Sequence, residues 1–302
     1  MTKIKLGINT GFAVNRFPEP EVWLKIVGKT LGLRYVQFTA DLLNPALPDK
    51  IINYQINKIL EYADKYNVKI DTTFTGAFTR VNHLMHPDKQ IRNYWYEWFK
   101  KFFVISRKLG ARASGSHFGI LSVIDVNNKK RYKYLLDNAI KLWQKLGQFG
   151  KKIGFDFLIF EPMSIPREIG CTIKETRKIL DRVNKNIAIP MLLCLDVDHG
   201  FEYSKNPEDN DPYAWILKLG KYSPVIHIKQ SVKNKDGHKP FISEYNKEGR
   251  IIPLKIIETI NKTGIDNVIL LLEISHRERY PYDLRVIDDL VESVEYWHKW
   301  CS

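Results

Sequence analysis

The chain has 302 residues, 44% of them hydrophobic, and a formal charge of +13. It can bury a large core, but no stretch approaches the ~18 consecutive apolar residues of a membrane helix; the longest candidates, such as VILLLEI at 268–274, are short and broken by charge. Nucleic acid or a phosphorylated ligand would suit the charge. The lysines are scattered, however, and no long basic run or Arg-rich segment stands out. They read as solvated helix faces, so neither a nucleic acid nor a membrane partner is expected, and a phosphorylated small substrate fits either reading.

Taken in chain order, short apolar runs mark strands at 4–9, 34–38, 68–73, 111–117, 156–161, 191–195, 225–228 and 268–274. Amphipathic stretches lie between them, including 50–66, 88–109, 129–150, 171–184, 252–263 and 281–299. In 50–66, Ile51, Ile52, Ile56, Ile59, Leu60 and Ala63 recur at helical spacing. Pro48, Pro87 and Pro212 stand near expected helix starts, where a missing N–H costs little. Endings such as RKLG, KLG and KTG put glycine at expected helix C-caps. Strands alternating with helices are the pattern of parallel βαβ units. The strand count, the length and the lack of a linker predict an α/β fold, a single (β/α)8 TIM barrel spanning residues 1–302 as one domain. A doubly wound open sheet would usually show G-x-G-x-x-G after the first strand, and GINTGFAVNRF holds none.

Barrel enzymes build their sites at the C-terminal ends of the strands. There the sequence places Glu161 after FDFLIF, Asp196 with Asp198 and His199 after MLLCL, His227 within PVIHIKQ, Glu273 in NVILLLEIS and His117 in ASGSHFG. Three carboxylates and an imidazole converging from four adjacent strands could not stay buried and ionised without a compensating cation. Glu161, Asp196, His227 and Glu273 therefore read as a divalent-metal site. Three oxygens and one nitrogen suit Mn²⁺, Mg²⁺ or Co²⁺, with Zn²⁺ also compatible.

These motifs (FEP at 160–162, LDVDH at 195–199, HIKQ at 227–230 and LLE at 271–273) resemble the xylose isomerase-like barrel superfamily of sugar isomerases, epimerases and AP endonucleases, over essentially the whole chain. The resemblance to its ketose 3-epimerases implies one metal, Mn²⁺ foremost, held by Glu161, Asp196, His227 and Glu273, with Glu161 and Glu273 doubling as the acid–base pair. It implies that His199, in the D-x-x-H motif, touches substrate, with Asp198 as a support for its loop. EPMSIPREIGCTIKET, DVDHG, HIKQS and DGHKPFISEYNKEGRI look like the tetrulose-phosphate epimerases of erythritol catabolism, which interconvert L- and D-erythrulose 1-phosphate. The implied reaction removes the proton beside a carbonyl and returns it to the other face, with a metal as electrophile and an acid and a base on opposite faces.

Lys229, His276, Arg277 and Arg279, after strands seven and eight, are candidates to neutralise a substrate phosphate, because barrel phosphate sites often form there. Arg167 is a candidate to orient Glu161 or bind substrate, and His117 is a further substrate contact. Asp236 and His238 read as substrate contacts, as remnants of a second metal site or as ordinary loop residues, within a long 231–251 segment that suggests a lid or pocket wall.

Three rivals remain. An aldose–ketose isomerase would use the same metal. An AP endonuclease would suit the charge and the Asp236/His238 pair, but a histidine is lacking in the expected neighbourhood, Thr72 to Thr75, and His83 lies well beyond it. A sugar-binding module would have no need of paired metal-bound glutamates. Trp95, Trp98, Phe99 and Phe102 form an apolar stripe expected to pack on the barrel, with remaining aromatics available to a second copy in a homo-oligomer. The opening MTKIKLGINT lacks the roughly 7–15-residue apolar core of a signal peptide. Cys171, Cys194 and Cys301 are few, odd in number and far apart. A reducing cytoplasm is the expected setting.

Overall fold

The computed structural model describes residues 2–80, 83–232 and 237–301. Strands β1 (Lys3–Asn9), β2 (Tyr35–Thr39), β3 (Lys69–Phe74), β4 (Ala113–His117), β5 (Phe157–Glu161), β6 (Met191–Asp196), β7 (Val225–Ile228) and β8 (Asn267–Leu272) pair in sequence order. All pairings are parallel, and β1 closes the barrel against β8. This is the expected (β/α)8 TIM barrel. Strand β8 ends one residue before Glu273, so that carboxylate stands just beyond the last ladder pair.

The outer layer comprises α1 (Pro20–Lys25), α2 (Asp49–Lys65), α3 (Lys89–Lys108), α5 (Lys129–Ile153), α6 (Ile173–Asn184), α7 (Pro212–Leu219), α9 (Pro253–Asn261) and α10 (Tyr282–His298). Single turns α4 (Val123–Val126) and α8 (Ser243–Asn246) sit in the loops after β4 and β7. Side-chain caps start several helices: Asp88 accepts from Gln90 N, Asn128 from Lys130 N and Arg131 N, and Thr172 from Glu175 N. Gly110 and Gly264 follow α3 and α9 with φ of +86° and +75°, as their KLG and KTG contexts predict. Gly147 lies inside α5, which runs three residues beyond the expected 129–150 stretch to Ile153 and stops at Gly154. It is a packing glycine, since a Cβ there would come 2.3 Å from Ile187 Cγ1.

Trp98, Phe99, Phe102 and Phe103 of α3 are buried, and Phe99 meets Trp143 of α5 with ring centroids 5.3 Å apart. Each such ring is worth about 2–3 kcal/mol of apolar burial. Tyr94 is exposed. Inside the barrel a second core of Phe74, Ala113, Phe157, Ile159, Cys194, Val225, Ile269 and Leu271 fills the floor. Strand side chains alternate between faces. The residues two positions beyond Ile159, Cys194, Val225 and Leu271 are Glu161, Asp196, His227 and Glu273. The pleat that packs the floor therefore also turns these four toward the barrel axis.

Candidate active site

Glu161, Asp196, His227 and Glu273 each place one donor atom within 4.8 Å of all the others. His227 Nδ1 is the hub, 2.9 Å from Glu161 Oε1, 3.3 Å from Glu273 Oε1 and 3.8 Å from Asp196 Oδ2. His227 is fully buried, and Glu161 and Asp196 are buried beside it. Cys194 lies beneath them, near enough to join Glu161 and His227 in a second, smaller cluster.

Donor and acceptor logic fixes which nitrogen of His227 faces the acids. The Gly11 N–H donates to Asn9 Oδ1 at 2.7 Å, so Asn9 Nδ2 is the donor toward Gln37 Oε1 at 3.1 Å. Gln37 Oε1 is thereby an acceptor, and His227 Nε2, 2.7 Å away, donates to it. The remaining nitrogen, Nδ1, points its lone pair into three carboxylates, which requires a cation there. A histidine ligand donating its second nitrogen to an amide oxygen is the usual outer-shell arrangement of a metal site. The donor set thus fits a divalent ion. Without one, a proton fills the place: burial disfavours the imidazolium, but Cys194, Glu273 and Glu161 outweigh it and hold the His227 pKa well above the ordinary histidine value.

A second cation is already built in. The Lys229 ammonium, 0% exposed, pairs with Asp196 Oδ2, lies 2.9 Å from Glu273 Oε2 and donates to His238 Nδ1 at 2.9 Å. Burial opposes its charge, yet Asp196, Glu273 and Glu161 push its pKa above the usual lysine range. Burial likewise works against ionisation of Asp196 and Glu273. His199 and Lys229 overcome it for Asp196, and His227 and Lys229 for Glu273, so both stay ionised.

Above the cluster opens a cavity of about 350 Å³ lined by Glu161, Glu273, His117, His199, His238 and His276, among others. That is at the small end of ligand cavities, roughly 300–1,000 Å³. His199 Nδ1 lies 2.9 Å from Pro162 O and 3.7 Å from Glu161 Oε1. Asp198 reaches back to Arg250 at 3.5 Å, a loop contact. His117 is buried at the end of β4 beside Glu161, its ladder partner.

Other expected residues fall elsewhere. Lys229 does not line the cavity, because β7 turns it down among the acids rather than up to the rim. Arg167 also stays off the cavity wall and donates to Leu121 O at 3.1 Å. Arg277 and Arg279 are exposed outside it, whereas His276 lines it and pairs with Asp289 at 3.0 Å. Asp236 lies outside the described residues. His83 does approach His117, with ring centroids 4.6 Å apart, but its Nε2 is engaged by Thr79 O at 2.6 Å.

Sequence reasoning overlooked Asn9 and Gln37, although the inward, strand-end position that singled out the acids applies to them too; amides simply do not advertise metal chemistry. It also overlooked Arg16 and Arg80, the two guanidinium groups among the cavity-lining residues described. Arg16 sits after β1, held by Asp283 at 2.6 Å, and Arg80 sits after β3, paired with Glu168. Asp41 secures the Arg80 loop by accepting from Phe78 N and Thr79 N at 3.0 and 2.9 Å.

The chain is 39% identical over 296 residues to D-erythrulose 1-phosphate 3-epimerase of Brucella abortus (strain 2308), covering 97% of this chain and 95% of that protein. A solved structure from Rhodospirillum rubrum ATCC 11170, provisionally described as a xylose isomerase, superposes with a TM-score of 0.89 at 26% identity over 99% of both chains. D-psicose 3-epimerase of Clostridium cellulolyticum H10, solved with D-tagatose, shares the fold with a TM-score of 0.70 at 16% identity, over 98% of this chain and 99% of that one. Homologues are thus epimerases, of the isomerase class. The profile of one family matches residues 27–297, nearly the whole barrel. The chain belongs to the xylose isomerase-like TIM barrel family.

Proposed function

We propose that this chain is a divalent-metal-dependent 3-epimerase of a small ketose phosphate, erythrulose 1-phosphate or a close analogue, with residues 1–302 working as one barrel domain. The observation that carries the reading is the convergence of Glu161, Asp196, His227 and Glu273 on one point under a small cavity whose wall includes both glutamates. The similarity to the Brucella abortus enzyme supports the substrate class.

In this reading Glu161, Asp196, His227 and Glu273 hold the metal, Mn²⁺ foremost. When bound, the metal supplies the positive charge that acidifies the C–H beside the substrate carbonyl. Glu161 and Glu273 reach the cavity from β5 and β8, so a sugar lying between them meets a carboxylate on either face. One takes the proton from C3 and the other returns a proton to the opposite face. Glu273 is ionised and therefore ready to accept. Its Oε2 is tied to Lys229, which limits where Oε1 can point. His199 and His117 offer ring nitrogens to the sugar oxygens, and His238 closes the side over Lys229. Arg16, Arg80 and His276 are the cavity-lining groups suited to a phosphate.

The test is ¹³C NMR of L-erythrulose 1-phosphate incubated with the protein in D₂O, with and without Mn²⁺. Metal-dependent deuteration at C3 with appearance of the D-epimer is expected. Exchange with a shifted carbonyl would make the chain an isomerase instead, and no exchange would overturn the reading.

A further inference from the structure

The Lys229 ammonium lies within the proposed metal site itself, and the charges there count simply. Glu161, Asp196 and Glu273 carry three negative charges, and His227 as a ligand is neutral. A divalent ion leaves one negative charge over, in a buried place where an uncompensated charge is costly. Lys229 is fully buried, pairs with Asp196 Oδ2 and Glu273 Oε2, and is held from its third side by His238. With it the metal-loaded sum is zero. Its strand position, two residues beyond His227 on the same inward face, makes it a constant companion of the ligands.

We propose that Lys229 is a built-in counter-cation that neutralises the third carboxylate of the metal-loaded site, supports the metal-free barrel, and keeps the metal exchangeable by repelling it. The inference rests on the proposed metal site. Two like charges a few ångströms apart repel strongly in a buried setting, so the ammonium lowers metal affinity even as it prevents the acids from repelling one another when the metal leaves. A neutral floor also avoids repelling an anionic phosphate ligand in the cavity above.

The experiment compares Mn²⁺ binding by titration calorimetry and melting temperature, each with and without Mn²⁺, for wild type, Lys229→Met, Lys229→Arg and His227→Ala. Lys229→Met is expected to melt lower than wild type without metal, yet to bind Mn²⁺ at least about tenfold more tightly, with a larger metal-induced rise in melting temperature. Lys229→Arg, which keeps the charge, is expected to bind within about threefold of wild type. If Lys229→Met does not fold, Lys229→Gln, which keeps an N–H for the acids but drops the charge, carries the same test. Unchanged or weaker Mn²⁺ binding in the charge-free variant would overturn the role of Lys229, because a residue that only positions the ligands would lose affinity when removed. Wild type that binds no Mn²⁺, or binds it as well as His227→Ala, would overturn the metal site and this inference with it.

Discussion

Strands β1 to β4 and strands β5 to β8 bring opposite chemistry to the same barrel mouth. Apart from His117, the first half ends in amides and hydroxyls that satisfy one another: Thr10 Oγ1 with Thr39 Oγ1 at 3.0 Å, Asn9 with Gln37 at 3.1 Å and Thr75 with Ser116 at 2.8 Å. The second half ends in Glu161, Asp196, His227, Lys229 and Glu273, charges that no set of neutral neighbours could balance. Neutral polar groups close their hydrogen bonds locally and stay put. Buried charges need a cation, and that unmet demand is where a metal and a substrate can act. Across the barrel His227 Nε2 donates to Gln37 Oε1, and there the neutral network orients the charged one.

Substitutions on the charged half should hurt turnover most. Glu161→Gln and Glu273→Gln are each expected to slow C3 deuterium exchange by about 10²–10⁴-fold, the usual worth of a positioned acid or base. Exchange rates close to wild type would erase the distinction between the halves.

A large effect on stability is expected from His83, which packs on Trp95 and Phe99 of α3 and on His117 of β4. Burial, aided by Arg80, pushes its pKa down to about 4, against a hydrogen bond to Thr79 O. The folded state thus binds its proton less well than the unfolded chain. Its contribution is complete above about pH 6.5, the unfolded value, and is lost as pH falls toward about 4, costing about 3 kcal/mol over that window. Urea unfolding of wild type and His83→Asn at pH 7 and pH 5 measures it; identical pH slopes would show that His83 contributes none of the loss.

The junction should give an intermediate effect. Gln37→Leu removes the acceptor that orients His227 and is expected to weaken Mn²⁺ binding by about 10–100-fold, with the fold intact by circular dichroism. Calorimetric titration reads this directly, and an unchanged affinity would mean that His227 is oriented by packing alone.

The smallest effect belongs to the neutral half. Thr75→Val deletes one hydroxyl of a buried pair and should cost about 1 kcal/mol in chemical denaturation with little change in exchange rate. A large loss of activity would extend the working site across β3 and β4.

Apolar runs at barrel spacing, closed by acids and a histidine, were enough to read eight parallel strands and the Glu161–Asp196–His227–Glu273 set from the chain alone. Two local periodicities make this possible. Helical spacing marks the outer layer, and alternation along each strand ties a packed floor residue to the functional residue two positions on. Local reading is limited where a residue's partner is distant in the chain: only the approach of Ile187 shows what Gly147 is for. Lys229 shows it again. Its type and place after β7 suggested a phosphate ligand at the rim, and the orientation of the strand end put it among the acids instead. The cavity's guanidinium groups, Arg16 and Arg80, come from loops 64 residues apart in the chain (80 − 16), and no local pattern joins them. Strand pleat and charge pattern are properties of neighbouring residues, so the sequence by itself determined the barrel and the four converging side chains. Which nitrogen of His227 faces the acids, which cation balances them and which arginines edge the cavity depend on contacts between distant segments, and only the closed barrel decided those.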